Sequence, residues 1–136
     1  MYQVGKVYTI GTNNETYNFV KYHHQIKNPK KSWWIISLTK EADLFEDMTK
    51  NKYISNAGDR GYNVKCIGNK LELIGTDITR QDLQLAKYIF NKINWHGYPA
   101  NHKINQDRPE DEVMEKFLNN GLNPSIYRKI KKGQKI

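Results

Sequence analysis

The sequence predicts an α+β domain: an antiparallel sheet of about five strands, covered by one long helix and followed by two shorter C-terminal helices. Three observations predict it. Short apolar runs separated by turn residues fill the first half of the chain, and helix-spaced apolar residues with capping signals fill the second. The length, 136 residues, is that of one domain. The chain therefore reads as a single domain over 1–136, strand-rich over 1–75, helical over 76–132, with a basic tail at 128–136. A chain of this size buries about two-thirds of the surface that its unfolded form exposes, enough for a core without cross-links. Three tryptophans, nine tyrosines and four phenylalanines supply bulky core material. Mean hydropathy is low, at -0.85, but the apolar residues recur periodically, which argues against global disorder.

The elements follow in order. Residues 1–10 carry Val4, Val7 and Ile10 and end at Gly11-Thr12-Asn13-Asn14, a turn cluster. Residues 16–22 alternate, with Tyr17 and Phe19 on one face, so the two segments form a hairpin. Pro29 interrupts any ladder through the next loop. Trp33 to Leu38 is the most apolar run and has the length of a central strand, with alternation turning one of Trp33 and Trp34 inward. Residues 39–50 form a short helix, with Leu44, Phe45 and Met48 on one face and Glu41, Asp43, Glu46 and Asp47 outside. A loop over 51–61 leads to strands at 62–67 and 70–74, joined at Gly68-Asn69. Thr79 then caps a long helix to about Asn94, carrying Leu83, Ala86, Ile89, Phe90 and Ile93 at helical spacing. Leu83, Ile89, Phe90 and Trp34 are its expected core. Pro109 and Glu110-Asp111-Glu112 open a second helix that Gly121 closes. Asn123-Pro124 opens a third, short helix that carries Ile126 and Ile130 and frays into the lysine tail.

The single cysteine, Cys66, excludes an internal disulfide and reads as a buried structural thiol. The first residues hold no apolar signal segment and no run is long enough for a bilayer, so a cytoplasmic location and no membrane partner are expected. The net charge of +8 and pI near 9.5 point to a polyanionic partner, DNA or RNA. The surplus is mostly lysine, beside many asparagines and isoleucines. AT-rich codons account for part of that usage, which suggests a phage or other mobile element.

Two clusters carry the nucleic-acid reading. The tail, with Arg128, Lys129, Lys131, Lys132 and Lys135, has no acidic residue and gains phosphate affinity by counterion release. Lys27, Lys30 and Lys31 precede Trp33, which could stack a base. From Glu112 to Lys132 the order is helix, Gly121, Leu122, capping Asn123 and basic helix, with Ile130 nine residues beyond the glycine. That order resembles a helix-turn-helix, whose second helix enters the major groove. Phe117 and Asn120 depart from it, where a small residue and an apolar contact are usual.

Two other function classes stay open. A metal-independent ribonuclease needs a general base, a general acid and a cation, roles open to His24, His102 and Arg60 or Lys103. An inhibitor that binds and blocks a host or defence protein would use the same basic surface. No P-loop, dinucleotide fingerprint, zincin helix or nucleophile elbow is present. His23 and His24 are neighbours, and His96 and His102 flank a proline loop, so no metal site and no cofactor are expected.

Overall fold

A computed structural model describes residues Met1–Ile136. Its elements are β1 (Val7–Thr9), β2 (Thr16–Asn18), β3 (Trp33–Trp34), α1 (Leu38–Asn51), β4 (Arg60–Val64), β5 (Cys66–Ile67), β6 (Lys70–Leu71), β7 (Gly75–Thr76), β8 (Leu85–Phe90), β9 (Trp95–Ala100), α2 (Asp111–Asn119) and α3 (Pro124–Lys131). The class is α+β. Five strands form the main sheet in the order β1-β2-β9-β8-β4, and β3-β7 and β5-β6 are separate two-stranded pairs. No helix is long and apolar enough to cross a membrane.

Both turns and the first helix expected in the N-terminal half are present, while the run expected as one strand over 62–67 divides into β4 and β5 and that over 70–74 shortens to β6. β1 and β2 form the hairpin, with Tyr8 opposite Tyr17, and β5 and β6 pair around Gly68 and Asn69. α1 is the long helix. Ser37 caps it by accepting from the Lys40 N–H at 3.2 Å, and Lys52, at φ 56°, ends it.

The segment at 79–94 corrects the sequence reading. It is not a helix but a turn, strand β8 and the tip of the β8–β9 hairpin, and α1 covers the sheet in its place. The helical spacing of Leu83, Ala86, Ile89 and Phe90 was coincidental. Both faces of β8 are covered, so the period-2 signal of a half-exposed strand is lost. Thr79 is not an N-cap. Its N–H and hydroxyl both donate to Asp77 Oδ1, at 2.9 and 2.6 Å, in a turn ahead of the strand. Asn91 shapes the hairpin tip by accepting from the Ile93 and Asn94 N–H groups. Ile93 is consequently exposed rather than core.

Four smaller corrections follow. The sheet is mixed, because β2 runs parallel to β9 at Tyr17 and Trp95. The run at Trp33 forms a two-residue strand paired with β7, not a central strand. Both tryptophans are buried, since β3 packs against β9 as well as β7 and the turn at Lys21–His23. Cys66 is exposed, on the β5–β6 pair outside the main sheet.

Register sorts the two faces. Gly61, Tyr88 and Gly97 are opposite one another and face α1. There Tyr17, Phe45 and Tyr88 pack ring to ring, with centroids 4.7 to 6.0 Å apart. A Cβ at Gly97 would lie 2.5 Å from the Tyr88 ring, so only glycine lets that ring lie on the strand. Tyr62, Lys87 and Tyr98 share the opposite face, which the segment before α2 covers. Tyr62 donates to Glu110 at 3.2 Å and Tyr98 to Asp107 at 3.1 Å.

Candidate functional site

The lysine loop is built around one asparagine. Asn28 Oδ1 accepts from the Lys30 and Lys31 N–H groups at 2.9 and 3.1 Å, and its Nδ2 donates to the Tyr22 carbonyl at 3.2 Å. Lys27 takes the left-handed conformation, φ 62°. These contacts hold Lys27, Lys30 and Lys31 exposed beside Tyr22, with Lys31 Nζ 5.6 Å from the Tyr22 ring centroid. Trp33, the expected stacking residue, is buried at 8% exposure and offers no free face.

Two residues that the sequence reading passed over stand in its place. Tyr22 is 40% exposed, and its ring lies 4.7 Å from His23 and 6.5 Å from His96. Three of the four histidines spend a ring nitrogen on a backbone carbonyl: His23 on Ser32, His24 on Val20 and His102 on Gln134. His96, half-buried on β9, spends neither. His23 also stacks on Tyr98, at 5.0 Å and 16°. Burial drives the His23 pKa down to about 4, and burial with the Lys31 charge lowers that of His96. Both imidazoles are therefore neutral at pH 7. The only sequence signal for this pairing was the density of aromatic and histidine residues at Tyr22-His23-His24 and Trp95-His96-Gly97-Tyr98, and nothing local joins the two.

His24 belongs to a buried network on the α1 side. Its Nδ1 donates to the Val20 carbonyl at 2.5 Å, and its Nε2 meets Glu41 Oε1 at 2.6 Å. Glu41 Oε2 accepts from the Tyr17 hydroxyl at 2.5 Å. Glu41 was expected outside the helix, yet it is fully buried, because Tyr17 and His24 supply the donors that make burial tolerable. Burial raises the Glu41 pKa. Burial also opposes charge on His24, but the bonds to Glu41 and Val20 outweigh it and lift its pKa.

The three proposed ribonuclease residues lie in separate networks. His102 Nε2 donates to the Gln134 carbonyl at 2.5 Å. Arg60 Nε lies 3.3 Å from Glu110 and 3.8 Å from Asp59. No hydrogen bond or ion pair joins any two of His24, His102 and Arg60. No three His, Cys, Asp or Glu side chains converge to hold a metal ion.

The C-terminal end is assembled from two stretches of chain. α2 closes with Gly121 at φ 96°. The Gly121 N–H bonds the Leu118 carbonyl and the Leu122 N–H bonds that of Phe117, at 3.1 and 3.0 Å. Asn123 caps α3 by accepting from the Ser125 and Ile126 N–H groups, at 2.8 and 3.4 Å. Ile126 and Ile130 anchor α3 in the core. The turn beyond α3 folds onto the loop before α2 through the His102–Gln134 bond, and Gly133 lies directly against the Arg108 guanidinium. Arg108 in turn donates to the carbonyls of His102 and Lys103. The loop that carries Lys103 thus lies against the turn between Lys132 and Lys135.

Of 22 lysines and arginines, only Lys40, Arg60, Lys87 and Lys131 reach a carboxylate within ion-pairing distance. Lys131 does so weakly, 3.8 Å from Asp111, while its Nζ donates to Tyr127. A cleft of about 1120 Å³ beside α1 mixes acidic and basic residues and includes none of the candidates.

The chain matches no family model, no curated protein and no solved structure.

Proposed function

We propose that this protein is a small nucleic-acid-binding protein whose C-terminal cationic end engages phosphate. One observation carries the reading: Arg128, Lys129, Lys132 and Lys135 lie on α3 and the turn after it, the Lys103 loop folds against that turn, and none of the five has a carboxylate partner. Unpaired cations in water hold loosely bound counter-ions, and a polyphosphate surrenders its own on binding them, which drives association entropically. The order α2, Gly121, α3 supports the same reading, because the exposed face of α3 carries Ser125, Arg128 and Lys132 while Ile126 and Ile130 face the core. The ribonuclease reading draws no support from His24, His102 and Arg60, which are engaged separately. An inhibitor of a host or defence protein has no observation of its own, and stoichiometric co-purification of a protein is the result that would favour it.

The test is a salt titration. Truncation is unsuitable, because Ile130 is fully buried and Gln134 anchors His102. Combined Arg128→Gln, Lys129→Gln, Lys132→Gln and Lys135→Gln changes keep the backbone contacts. Each phosphate neutralised contributes about 0.9 to the slope of log affinity against log salt on duplex DNA. The variant should bind more weakly, with a slope shallower by roughly two to four. A folded variant with unchanged affinity and slope would refute the proposal.

A further inference from the structure

We infer that Tyr22, His96 and Lys31 form a site for an unpaired nucleotide of a single-stranded nucleic acid, the base stacking on Tyr22 and its phosphates meeting the lysines. The inference rests on the nucleic-acid reading above, but on a different surface from the C-terminal end.

Four observations assemble the site. Tyr22 keeps 40% of its surface in solvent and makes no hydroxyl hydrogen bond within the protein. Its ring is nonetheless held in place. His23 packs edge-on to it at 4.7 Å, and His23 is itself fixed by Ser32 at 2.8 Å and by the Tyr98 ring. Asn28 ties the Tyr22 carbonyl to the lysine loop. An exposed aromatic ring already immobilised loses little entropy when a base covers it, which is what a stacking platform requires.

The polar partners fit the rest of a nucleotide. Lys31 Nζ stands over one face of the Tyr22 ring, and Lys27 and Lys30 extend from the same Asn28-held loop, all without carboxylate partners. Their flexible stems reach phosphates on either side of a stacked base. His96 presents both ring nitrogens unspent, 6.5 Å from Tyr22. A neutral imidazole can donate to and accept from a base edge or a sugar hydroxyl.

The committed ligand is single-stranded, for a geometric reason. A base in a duplex has both faces covered by its neighbours, so a lone ring on a loop can stack only on a base free of its partner strand. Stacking of this kind is tolerant of sequence, because every base has a π-face.

The experiment uses the whole chain with labelled oligo(dT), oligo(U) and a DNA duplex of the same length, titrated by fluorescence anisotropy. Tyr22→Leu should weaken single-strand binding roughly 5- to 150-fold, the loss of one stacked base, and leave duplex binding unchanged. Tyr22→Phe should retain wild-type affinity. Lys31→Gln should lower the single-strand salt slope by about 0.7. A measurement on the unmutated chain removes any dependence on variant folding: a strand carrying 5-bromouracil, irradiated in complex, should cross-link at Tyr22. Cross-links confined to the C-terminal end, or unchanged single-strand affinity in a folded Tyr22→Leu protein, would overturn this site while leaving the proposed function standing. Failure of the wild type to bind any of the three probes would overturn both.

Discussion

Tyr17 and Tyr88 are both fully buried, on strands β2 and β8 either side of β9, and their hydroxyls meet opposite fates. Tyr17 donates to Glu41 at 2.5 Å, whereas the Tyr88 hydroxyl is buried with no partner. A hydrogen bond to a charged group contributes about 1.5–3 kcal/mol, and an unsatisfied buried polar group costs a similar amount. Tyr17→Phe should therefore destabilise the protein by about 1.5–3 kcal/mol in urea unfolding. Tyr88→Phe should be neutral or stabilising. Equal losses in both would mean that the Tyr88 hydroxyl has a partner in solution. Glu41 explains why the first loss is large: without Tyr17, one oxygen of a buried carboxylate is left without a donor.

At the scale of elements, the α2–α3 turn is the most locally specified piece of the chain. Gly121 sits at φ 96°, and a Cβ there would meet no atom within 4 Å. The cost of Gly121→Ala is then backbone strain alone, about 1–2 kcal/mol. Equilibrium unfolding should show that loss with both helices retained by circular dichroism. A negligible change would show that the turn relaxes to another geometry. The β8–β9 hairpin behaves differently, because its stability comes from long-range cover. Phe90 illustrates this. It is only partly buried and packs on Trp95 at 5.1 Å, so it contributes less than the full-burial value that a helical core position would carry.

For the whole molecule, the histidines set the pH dependence of stability, and they act in opposite directions. His23, His96 and His102 all have folded pKa values below 6.5, with burial as the main cause. Below pH 6.5 the unfolded chain takes up protons at these positions more readily than the native state, so stability falls with pH, down to about pH 4 for His23. His24 and Glu41 bind protons more tightly when folded. The His24 contribution is fully present below its unfolded pKa and is lost as pH rises through the raised folded value. Urea unfolding across pH should therefore show a maximum, with an acid limb between about pH 6.5 and 4. His23→Gln should flatten that limb even though it weakens the fold at neutral pH. An acid limb of undiminished steepness in His23→Gln would assign it to other groups.

The sequence by itself determined what neighbouring residues can decide. The Gly11–Asn14 turn, the Gly68-Asn69 turn, the helix around Leu44, Phe45 and Met48, and the Gly121-Asn123-Pro124 junction are all written in residues whose own backbone preferences or caps select them. The same holds for Lys27, Lys30 and Lys31, whose exposure follows from a charged loop. Tertiary structure decided the rest. Residues 85–90 became an inner strand because β4 and β9 pair with them while α1 and the segment before α2 cover the two faces, and a strand covered on both faces has no alternation to read. Glu41 turned inward because donors from β2 and from the turn after it await it there. The candidate stacking ring passed from Trp33 to Tyr22 because β9 and β7 bury the tryptophan. His96 reached Tyr22 only through the parallel pairing of β2 with β9. Each of these outcomes depends on partners distant in the chain, and local propensity does not encode which distant segment arrives.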